Sequence, residues 1–259
     1  MMVDYFAPDL RALFTRHRLD SFAALWALEL DSVDAPNTGR GGWSSVSRLV
    51  LADAEGREHA FYLKRQIDHL SRSLSKPLGE ATFAREFRNI LRYAEDGVPA
   101  LQAAVFGQRR IGGKVCAILV TRALDDYRPL DAWLRDWPTL PRATRQALIA
   151  ATADLVRRLH AAGHLHNCLY PKHVFLRAPG SAGDGPAACL IDLEKTRKLH
   201  FGRAALARDL DTLDRHSSEP STGERLRFLL RYLDQPALDA PARKLIRRLL
   251  ARRRKKAGR

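Results

Sequence analysis

Hydrophobic and polar positions follow two different patterns along this chain. The alternation that is typical of strands occurs in four segments of the first half: 43–51, 59–65, 101–106 and 114–121. The three- and four-residue spacing that is typical of helices occurs mainly, but not only, in the second half: 9–30, 78–94, 130–137, 141–162, 204–215, 223–233 and 242–256. Two short apolar segments, 174–176 and 188–191, are predicted to be buried strands. This order predicts an α+β protein in which a small sheet-rich lobe precedes a larger helical lobe.

Composition supports a folded protein and sets expectations for its location. The chain has 259 residues, of which 46% are hydrophobic and 28% charged, as in ordinary globular proteins. No apolar run reaches the roughly 20 residues that a membrane-spanning helix needs, and the first 30 residues do not resemble a secretory signal. The cysteines, Cys116, Cys168 and Cys189, are too few for a disulfide framework. We therefore expect a cytoplasmic protein.

The net charge of +15 is concentrated at the end of the chain. Ten of the 44 lysines and arginines lie within 243–259, a segment without acidic residues, so the rest of the chain carries only +5. Leucine and isoleucine at helical spacing in the same segment predict a basic amphipathic helix. Its apolar face could pack on the protein body, or the helix could contact an anionic membrane surface, such as the inner face of the inner membrane. Nucleic acid is the least favoured partner, because the tail has no interleaved aromatic residues.

These patterns divide the chain into three predicted parts. Residues 1–122 form the sheet-rich lobe, 123–240 the helical lobe, and 241–259 the basic tail. In the first lobe, glycines precede a strand at Gly39, Gly41 and Gly42, with Ser44 at its beginning. Such a loop can bring successive backbone N–H groups to phosphate oxygens, although a plain hairpin turn has the same composition.

A lysine on a strand and a glutamate on a helix follow this loop. Lys64 lies in the segment 59–65, and Glu86 lies 22 residues further on, next to the apolar stripe of the helix predicted over 78–94. Protein-kinase-like folds use such a pair to hold the phosphates of ATP. Glu80 is the competing acid, and we prefer Glu86 because its neighbours should dock the helix.

The segment that follows the long helix 141–162 has the order of a kinase catalytic loop. Protein kinases separate their base aspartate from a metal-binding asparagine by five residues, and Cys168 is separated from His173 by the same distance. His166 stands where the kinase signature has its histidine. Asp192, after the second short strand, stands where the metal-binding aspartate of Asp-Phe-Gly would be. Only 16 residues separate Asp192 from Asp209, which predicts a non-protein substrate.

Other interpretations of this loop remain open. His164, His166, Cys168 and His173 could together ligate zinc, or a Cys–His pair could act as a nucleophile. A buried structural thiol is the simplest interpretation of Cys168. Asp209, which opens a helix, is expected to order the loop through hydrogen bonds rather than to act on a substrate.

These motifs resemble the InaA/WaaP branch of the bacterial lipopolysaccharide kinases. The resemblance is carried by 168–176 and 191–197 and is extended by 40–48, 97–99, 208–213 and 225–232, so that it covers roughly residues 10 to 235. It implies a protein-kinase-like fold, ATP and Mg²⁺ as cofactors, and a lipopolysaccharide core sugar or related glycan as the acceptor. In that family a histidine at the position of His173 replaces the kinase asparagine. Members that phosphorylate core heptose carry aspartate where this chain has Cys168.

Two hypotheses for function follow. The first is an ATP-dependent phosphotransferase in which Gly39, Gly41, Gly42, Ser44, Lys64 and Glu86 bind the nucleotide. Asp192 and His173 would then bind the metal, and Cys168 or His166 would serve in catalysis. The alternative is a nucleotide-binding pseudokinase with a regulatory or envelope-stress role, because Cys168 replaces the expected catalytic aspartate.

Overall fold

The chain divides into two units, of which the first comprises residues 1–92 and 101–125 and the second 93–100 and 126–259. The computed structural model describes residues 4–33, 35, 37–38, 41–73, 76–180, 187–199 and 205–257. Gly39, which the sequence predicts to contact phosphate, lies outside the described residues, as do most of the loop residues 178–186. The first unit is rich in strands and the second in helices, so the predicted α+β organisation is confirmed. The predicted three-part division with its bounds stays a prediction.

A five-stranded antiparallel sheet in the order β1-β6-β7-β3-β2 is the scaffold of the first unit. The strands of this unit are β1 (Tyr5–Phe6), β2 (Trp43–Ala52), β3 (Glu58–Ile67), β4 (Leu70–Ser73), β5 (Lys76–Ala81), β6 (Ala103–Ile111) and β7 (Lys114–Arg122). Strands β4 and β5 form a separate two-stranded ribbon. Strands β6 and β7 are joined at Gly112 and Gly113, whose φ angles of 57° and 80° suit the tight hairpin turns that favour glycine. Strand β3, which carries Lys64, is hydrogen-bonded on both sides.

The helices of the first unit are α1 (Arg11–Arg16), α2 (Phe22–Ala27) and α3 (Thr82–Glu95). The single helix predicted over 9–30 is wrong, because Arg18 adopts a left-handed φ of 57° and Ser21 begins a new helix by capping the backbone N–H of Ala24. The helix predicted from residue 78 begins only at Thr82. The residues before it form β5, so Glu80 lies on a strand.

The core of the first unit is aromatic and aliphatic. Phe14 and Phe61 are fully buried, and their ring centroids lie 5.2 Å apart, so α1 packs on the sheet. Phe87 of α3 stacks on Phe106 of β6 at a centroid distance of 4.5 Å. Offset stacking of this kind contributes roughly 0.5–1.5 kcal/mol beyond area burial. This contact fixes the face that α3 turns to the sheet.

Helices and short strands make up the second unit. Its helices are α4 (Leu130–Arg135), α5 (Arg142–Ala161), α6 (Leu206–Arg215), α7 (Thr222–Leu233) and α8 (Ala240–Ala257). Its strands are β8 (Tyr127–Pro129), β9 (His164–Leu165), β10 (Val174–Arg177), β11 (Ala188–Leu190) and β12 (Arg197–Lys198). Strand β10 pairs with β8 and β11, and β9 pairs with β12. The segment 166–173, which carries the predicted loop chemistry, therefore connects a strand of one small sheet, β9, to a strand of the other, β10.

The basic tail is helical and packs within the second unit. Helix α8 contacts α6, Ala242 is buried, and Nε of Arg252 lies 3.6 Å from a carboxylate oxygen of Asp211. Ile246 and Leu249 line an apolar cavity of about 720 Å³ between the helices of this unit. Most of the apolar face of this helix thus lies against the rest of the second unit, while Leu250 is 48% exposed. Among the described residues, no helix is long and apolar enough to cross a membrane.

Candidate functional site

The first group of candidate residues is the ion pair between strand β3 and helix α3. The ammonium of Lys64 donates to Oε1 of Glu86 at 2.7 Å, and the two side chains are 17% and 5% exposed. Lys64 is opposite Val46 and Leu119 in the sheet, so its position along β3 is fixed by both neighbouring strands. A pair with this little exposure is held more firmly than a surface ion pair.

Glu80, the other acidic residue considered as a partner of Lys64, binds a different residue. Both carboxylate oxygens of Glu80 accept hydrogen bonds from Arg88, at 2.8 and 2.7 Å. The prediction that Lys64 pairs with Glu86 rather than Glu80 is therefore confirmed. The apolar residues around Glu86 identified it correctly, because Phe87 docks the helix against the sheet.

Close packing and backbone conformation favour glycine at positions 41 and 42, whether or not this segment binds a ligand. A Cβ atom added to Gly42 would lie 2.5 Å from backbone atoms of Ile67, Asp68 and His69, so close chain packing alone requires glycine there. Gly41 has a left-handed φ of 72° and open space around its α-carbon. The backbone N–H of Ser44 donates to the carbonyl of Asn37 at 2.9 Å. The Ser44 N–H is thus engaged, which leaves its hydroxyl as the donor that a phosphate could use.

The second group lies in the second unit, where Asp192 faces His173. Nε2 of His173 lies 3.4 Å from Oδ2 of Asp192, while Nδ1 lies 2.8 Å from the backbone carbonyl of Cys168. A carbonyl can only accept, so Nδ1 donates to it, and Nε2 is the ring nitrogen that faces Asp192. Asp192 itself adopts a left-handed conformation, with φ of 57°.

This arrangement fits a divalent cation. A metal-binding histidine usually donates its other ring N–H to a carbonyl or carboxylate, and the Cys168 carbonyl accepts that bond here. Magnesium commonly takes one or two carboxylates and completes its shell with phosphate oxygens and water, so one aspartate is sufficient. An imidazole is a less usual ligand for magnesium than for manganese or zinc. Asp192 is therefore the stronger of the two candidate ligands.

A buried aspartate holds the loop that precedes these residues. Asp209 of α6 is 1% exposed and accepts the backbone N–H of His166 at 2.7 Å and that of Asn167 at 2.9 Å. Nε2 of His160 lies 3.4 Å from the same carboxylate. The prediction that Asp209 orders the loop through hydrogen bonds is confirmed. Asn167, whose φ is 62°, needs such support because left-handed residues are strained.

His166 occupies a position that does not suit the catalytic role predicted for it. Its ring is fully buried, and Nε2 donates to the backbone carbonyl of Ile191 at 2.9 Å. Burial lowers the pKa of His166 below its ordinary value, so the ring stays neutral. A ring without exposed surface cannot reach a substrate hydroxyl. This geometry favours a positioning role, in which His166 ties the loop to the residue before Asp192, and the catalytic role stays a prediction.

Cys168 is the residue at the position of the kinase base. The residue is 9% exposed, and burial raises the pKa of its thiol above the ordinary value. The Lys195 ammonium lies beside the thiol and opposes this rise, whereas Asp192 adds to it. A free thiol is already protonated at neutral pH, so Cys168 remains a thiol there. The structure thus places no ready proton acceptor at this position.

The zinc interpretation of the histidine-rich segment is not supported by the directions of its side chains. His164 is bound to Asp96 through Nε2 at 2.6 Å, His166 to Ile191 and His173 to Cys168. Over the part of the chain that the structure describes, no three histidine, cysteine or acidic side chains converge on one point where they could hold a metal ion. The segment thus consists of separate hydrogen-bonded histidines.

Sequence analysis missed two residues of this site. The Asn167 side chain donates from Nδ2 to the backbone carbonyl of Lys195 at 3.0 Å, and the positive charge of Lys195 opposes the rise in the pKa of the Cys168 thiol. Asparagine tolerates a left-handed backbone better than most residues, which was a usable signal for Asn167. Lys195 lies 27 positions after Cys168 in the sequence, so no local sequence pattern indicates that the two residues are close.

The fold and these two groups of residues define a protein-kinase-like protein. A solved structure described as WaaP in complex with acyl carrier protein matches with a TM-score of 0.69 and 22% identity, covering 99% of this chain and 98% of that one. At this identity the match establishes the fold, and it confirms the predicted fold class.

The chain belongs to the lipopolysaccharide kinase (Kdo/WaaP) family, whose model matches residues 23–232. It is 30% identical to Protein InaA of Escherichia coli strain K12 over 202 residues, which cover 77% of this chain and 89% of InaA. It is also 30% identical to lipopolysaccharide core heptose(I) kinase WaaP of Pseudomonas aeruginosa, over 73% of this chain and 74% of that kinase. The E. coli K12 WaaP is 27% identical over 62% of each chain. The resemblance inferred from the motifs is confirmed.

We predict that Asp209→Asn loosens the loop 166–173. The amide keeps one acceptor and loses the other, so one buried backbone N–H is left without its partner. The free energy of unfolding should fall by about 2–3 kcal/mol, and amide hydrogen exchange at His166 and Asn167 should accelerate. Chemical denaturation and hydrogen exchange measure the two effects.

The matched control is Asp136→Asn, because Asp136 forms an ion pair with Arg128 while its side chain is 52% exposed. This change should cost less than about 1 kcal/mol. Equal stability of the two variants, with unchanged exchange at His166 and Asn167, would mean that Asp209 does not hold the loop.

Proposed function

We propose that this protein is an ATP-dependent phosphotransferase whose acceptor is a hydroxyl of the lipopolysaccharide core or a related glycan. The observation that carries the proposal is the ion pair between Lys64 and Glu86, assembled at 2.7 Å in a chain of the lipopolysaccharide kinase family. In protein-kinase-like enzymes this pair must be in place before ATP phosphates are held productively. Glu86 fixes the ammonium of Lys64, so that the lysine can bind phosphate oxygens without first being ordered.

Asp192 and His173 are the proposed metal-binding residues. A divalent cation bound there would neutralise negative charge on the nucleotide phosphates, which is its general contribution to phosphoryl transfer. Asp192 supplies the anionic oxygen, and His173 is held in the correct tautomer by the Cys168 carbonyl. We infer that Gly41 and the Ser44 hydroxyl contribute to phosphate binding, whereas close packing against the backbone of residues 67–69 is sufficient to require glycine at position 42.

Cys168 makes the proposed enzyme a slow one. Positioning and charge neutralisation supply most of the rate in phosphoryl transfer, and a general base typically adds about 10²–10⁴-fold. Burial raises the pKa of the Cys168 thiol, so this residue does not accept the proton of the acceptor hydroxyl near neutral pH. The proton must leave to water or to the phosphate itself. We propose that Cys168 lines the acceptor site and that His166 positions the loop.

The second candidate function is a nucleotide-binding pseudokinase with a regulatory or envelope-stress role. The observation that favours it is again the protonated thiol at the position of the base. Both candidates require nucleotide binding by Lys64 and Asp192. They differ in whether phosphate appears on a glycan.

We predict that Lys64→Met weakens binding of Mg²⁺-ATP by about 10- to 100-fold, because a charged hydrogen bond to phosphate contributes roughly 1.5–3 kcal/mol. Asp192→Asn should remove the enhancement of ATP binding by Mg²⁺ while sparing binding without metal. Isothermal titration with and without Mg²⁺ measures both effects, and transfer of labelled phosphate to purified core glycan separates the two candidate functions.

Lys114→Met is the matched control, since Lys114 is an exposed lysine on the neighbouring strand β7. It should bind ATP as the unaltered protein does. If Lys64→Met binds ATP as tightly as Lys114→Met, the nucleotide site is not where we place it.

We further propose that helix α8 brings the protein to an anionic membrane surface, so that it works in the cytoplasm at the inner face of the inner membrane. The apolar side of α8 is turned to the protein body, whereas Arg243, Lys244, Arg247 and Arg248 are exposed. Each basic residue near an anionic bilayer contributes about 1 kcal/mol. A helix docked in this way binds through charge, without inserting its leucines.

Acyl carrier protein is the rival partner for this region, because the structural neighbour WaaP was solved with it. The apolar cavity of about 720 Å³ beneath α8 gives that rival a physical basis, since an acyl chain requires such a space. We favour the membrane as the partner because the positive charge on the exposed face of α8 is sufficient to bind an anionic surface.

We predict that replacing Arg247 and Arg248 by glutamine lowers partitioning to phosphatidylglycerol vesicles by about 30-fold at low salt, as two lost charges of about 1 kcal/mol each require. The effect should vanish at high salt. Replacing the exposed Arg16 and Arg18 by glutamine is the control and should change partitioning little.

Vesicle sedimentation of the three proteins is the measurement. The same proteins titrated with acyl carrier protein test the rival. Unchanged vesicle binding with lost carrier-protein binding would assign α8 to the protein partner.

A further inference from the structure

Gln66 is a fully buried glutamine on strand β3, two residues after Lys64. Side chains two positions apart on a strand point to the same face of the sheet, so Gln66 and Lys64 both face helix α3. Oε1 of Gln66 accepts the backbone N–H of Phe83 and the hydroxyl of Thr82, each at 2.9 Å. Nε2 donates to the carbonyl of His69 at 2.7 Å. The side chain of Gln66 therefore binds the first two residues of α3 directly.

The orientation of this amide is fixed by the groups around it. A backbone N–H can only donate and a carbonyl can only accept, so the oxygen of Gln66 must face Phe83 and its nitrogen must face His69. The His69 carbonyl also accepts the backbone N–H of Thr82 at 3.2 Å. The first N–H groups of a helix have no partner within the helix. Two of them are satisfied in α3 by Gln66 and by the carbonyl that Gln66 binds.

Small side chains allow the beginning of α3 to approach the sheet closely. Ala81, just before the helix, and Ala84, in its first turn, pack with Ala117 of β7, and all three are buried. Ala117 is directly opposite Gln66 in the sheet. The backbone of α3 can therefore lie near enough to β3 for the glutamine side chain to reach it.

Helix α3 is thereby attached to one strand at two points. Lys64 binds Glu86, and Gln66 binds Phe83, which precedes Glu86 by three residues. The two helix positions are about 4.5 Å apart along the axis, and the two strand positions are about 6.7 Å apart. An ion pair between two long side chains would by itself leave the helix free to rotate or slide, because both side chains have several rotatable bonds. The second attachment, nearly one turn earlier, removes that freedom.

We propose that Gln66 is a positioning residue of the nucleotide site, which caps the beginning of α3 and so places the Glu86 carboxylate where it holds the Lys64 ammonium. The proposal rests on the proposed nucleotide-binding function and adds to it a residue that does not itself bind ATP. The lysine of a protein-kinase-like site holds phosphate productively only when its glutamate partner is in place. Gln66 therefore acts on ATP binding through Glu86.

The test is calorimetric titration of the full-length protein with Mg²⁺-ATP. Gln66→Met keeps the length of the side chain and removes its hydrogen bonds, so it should weaken binding by about tenfold, the effect of one charged hydrogen bond to phosphate. Gln66→Glu keeps an oxygen that accepts from Phe83 and Thr82, and it should recover most of the affinity. Thr82→Val removes only the hydroxyl and should weaken binding by a smaller factor.

The matched control is Ser21→Ala, because Ser21 caps α2 of the same unit by accepting the backbone N–H of Ala24 at 3.2 Å. The loss of this cap should lower the free energy of unfolding and leave the affinity for ATP unchanged. If Gln66→Met binds ATP as tightly as Ser21→Ala does, the role of Gln66 is wrong.

A double-mutant cycle with Glu86→Gln separates positioning from a general loss of stability. If Gln66 acts through Glu86, Gln66→Met should change ATP affinity by less than about twofold in the Glu86→Gln background. Effects of the two changes that multiply fully would overturn the proposal.

The free energy of unfolding provides a readout that does not require nucleotide. The coupling between Lys64 and Glu86, obtained from Lys64→Met, Glu86→Gln and the double variant, should fall by about half or more when Gln66→Met is present. A coupling that persists unchanged would contradict the role of Gln66. Failure of the unaltered protein to bind ATP, with the coupling still dependent on Gln66, would contradict the proposed function alone.

Discussion

The carboxylate of Asp209 is the constraint on which the candidate site of the second unit depends. It is almost completely buried and accepts two adjacent backbone N–H groups, those of His166 and Asn167. Two N–H groups on one carboxylate force the chain into a tight turn, and Asn167 takes a left-handed conformation in it. The carbonyl of Cys168 is thereby aimed at Nδ1 of His173, which in turn aims Nε2 at Asp192. The buried Asp209 carboxylate thus fixes a series of contacts that leads through Cys168 and His173 to Asp192, the proposed metal ligand.

The same chain of contacts explains how the site can keep its shape although the base is absent. The groups that hold the loop are Asp209, the His166 ring and the carbonyl of Cys168, and none of them involves the side chain of residue 168. The thiol can therefore replace a carboxylate without disturbing the metal-binding pair. What changes is the electrostatics, because burial raises the pKa of the Cys168 thiol and a neutral group stands at the position of the carboxylate. Such a site has no ready proton acceptor at position 168.

Spacing along the sequence was sufficient to predict the parts of the site that belong to family motifs. The pairing of Lys64 with Glu86 and the ordering role of Asp209 were both predicted from spacing and context. The long helix over 9–30 was wrong, because its amphipathic pattern persists across a break that a single left-handed residue, Arg18, introduces. The pattern cannot show such a break, since the apolar faces of α1 and α2 are both buried against one core.

The features that the sequence does not reveal are contacts between distant residues. His166 was placed among the catalytic residues because it stands at the signature histidine of the kinase loop, and the sequence does not show that its ring is buried and bound to the carbonyl of Ile191. The requirement for glycine at position 42 comes from the backbone of residues 67–69, which no glycine-loop pattern can reveal. The proximity of Lys195 to Cys168 depends on the pairing of β12 with β9. Burial and pairing over such separations are set by tertiary structure.

The most direct test of this account is the turnover of Cys168→Asp at saturating Mg²⁺-ATP with lipopolysaccharide core glycan as the acceptor. If the site lacks only a proton acceptor, the new carboxylate should raise phosphate transfer by about 10²-fold or more, within the range that general-base catalysis supplies. Cys168→Ser, which removes the thiol without adding a base, should leave the rate near that of the unaltered protein. Transfer by Cys168→Asp that is no faster than by Cys168→Ser would contradict the account.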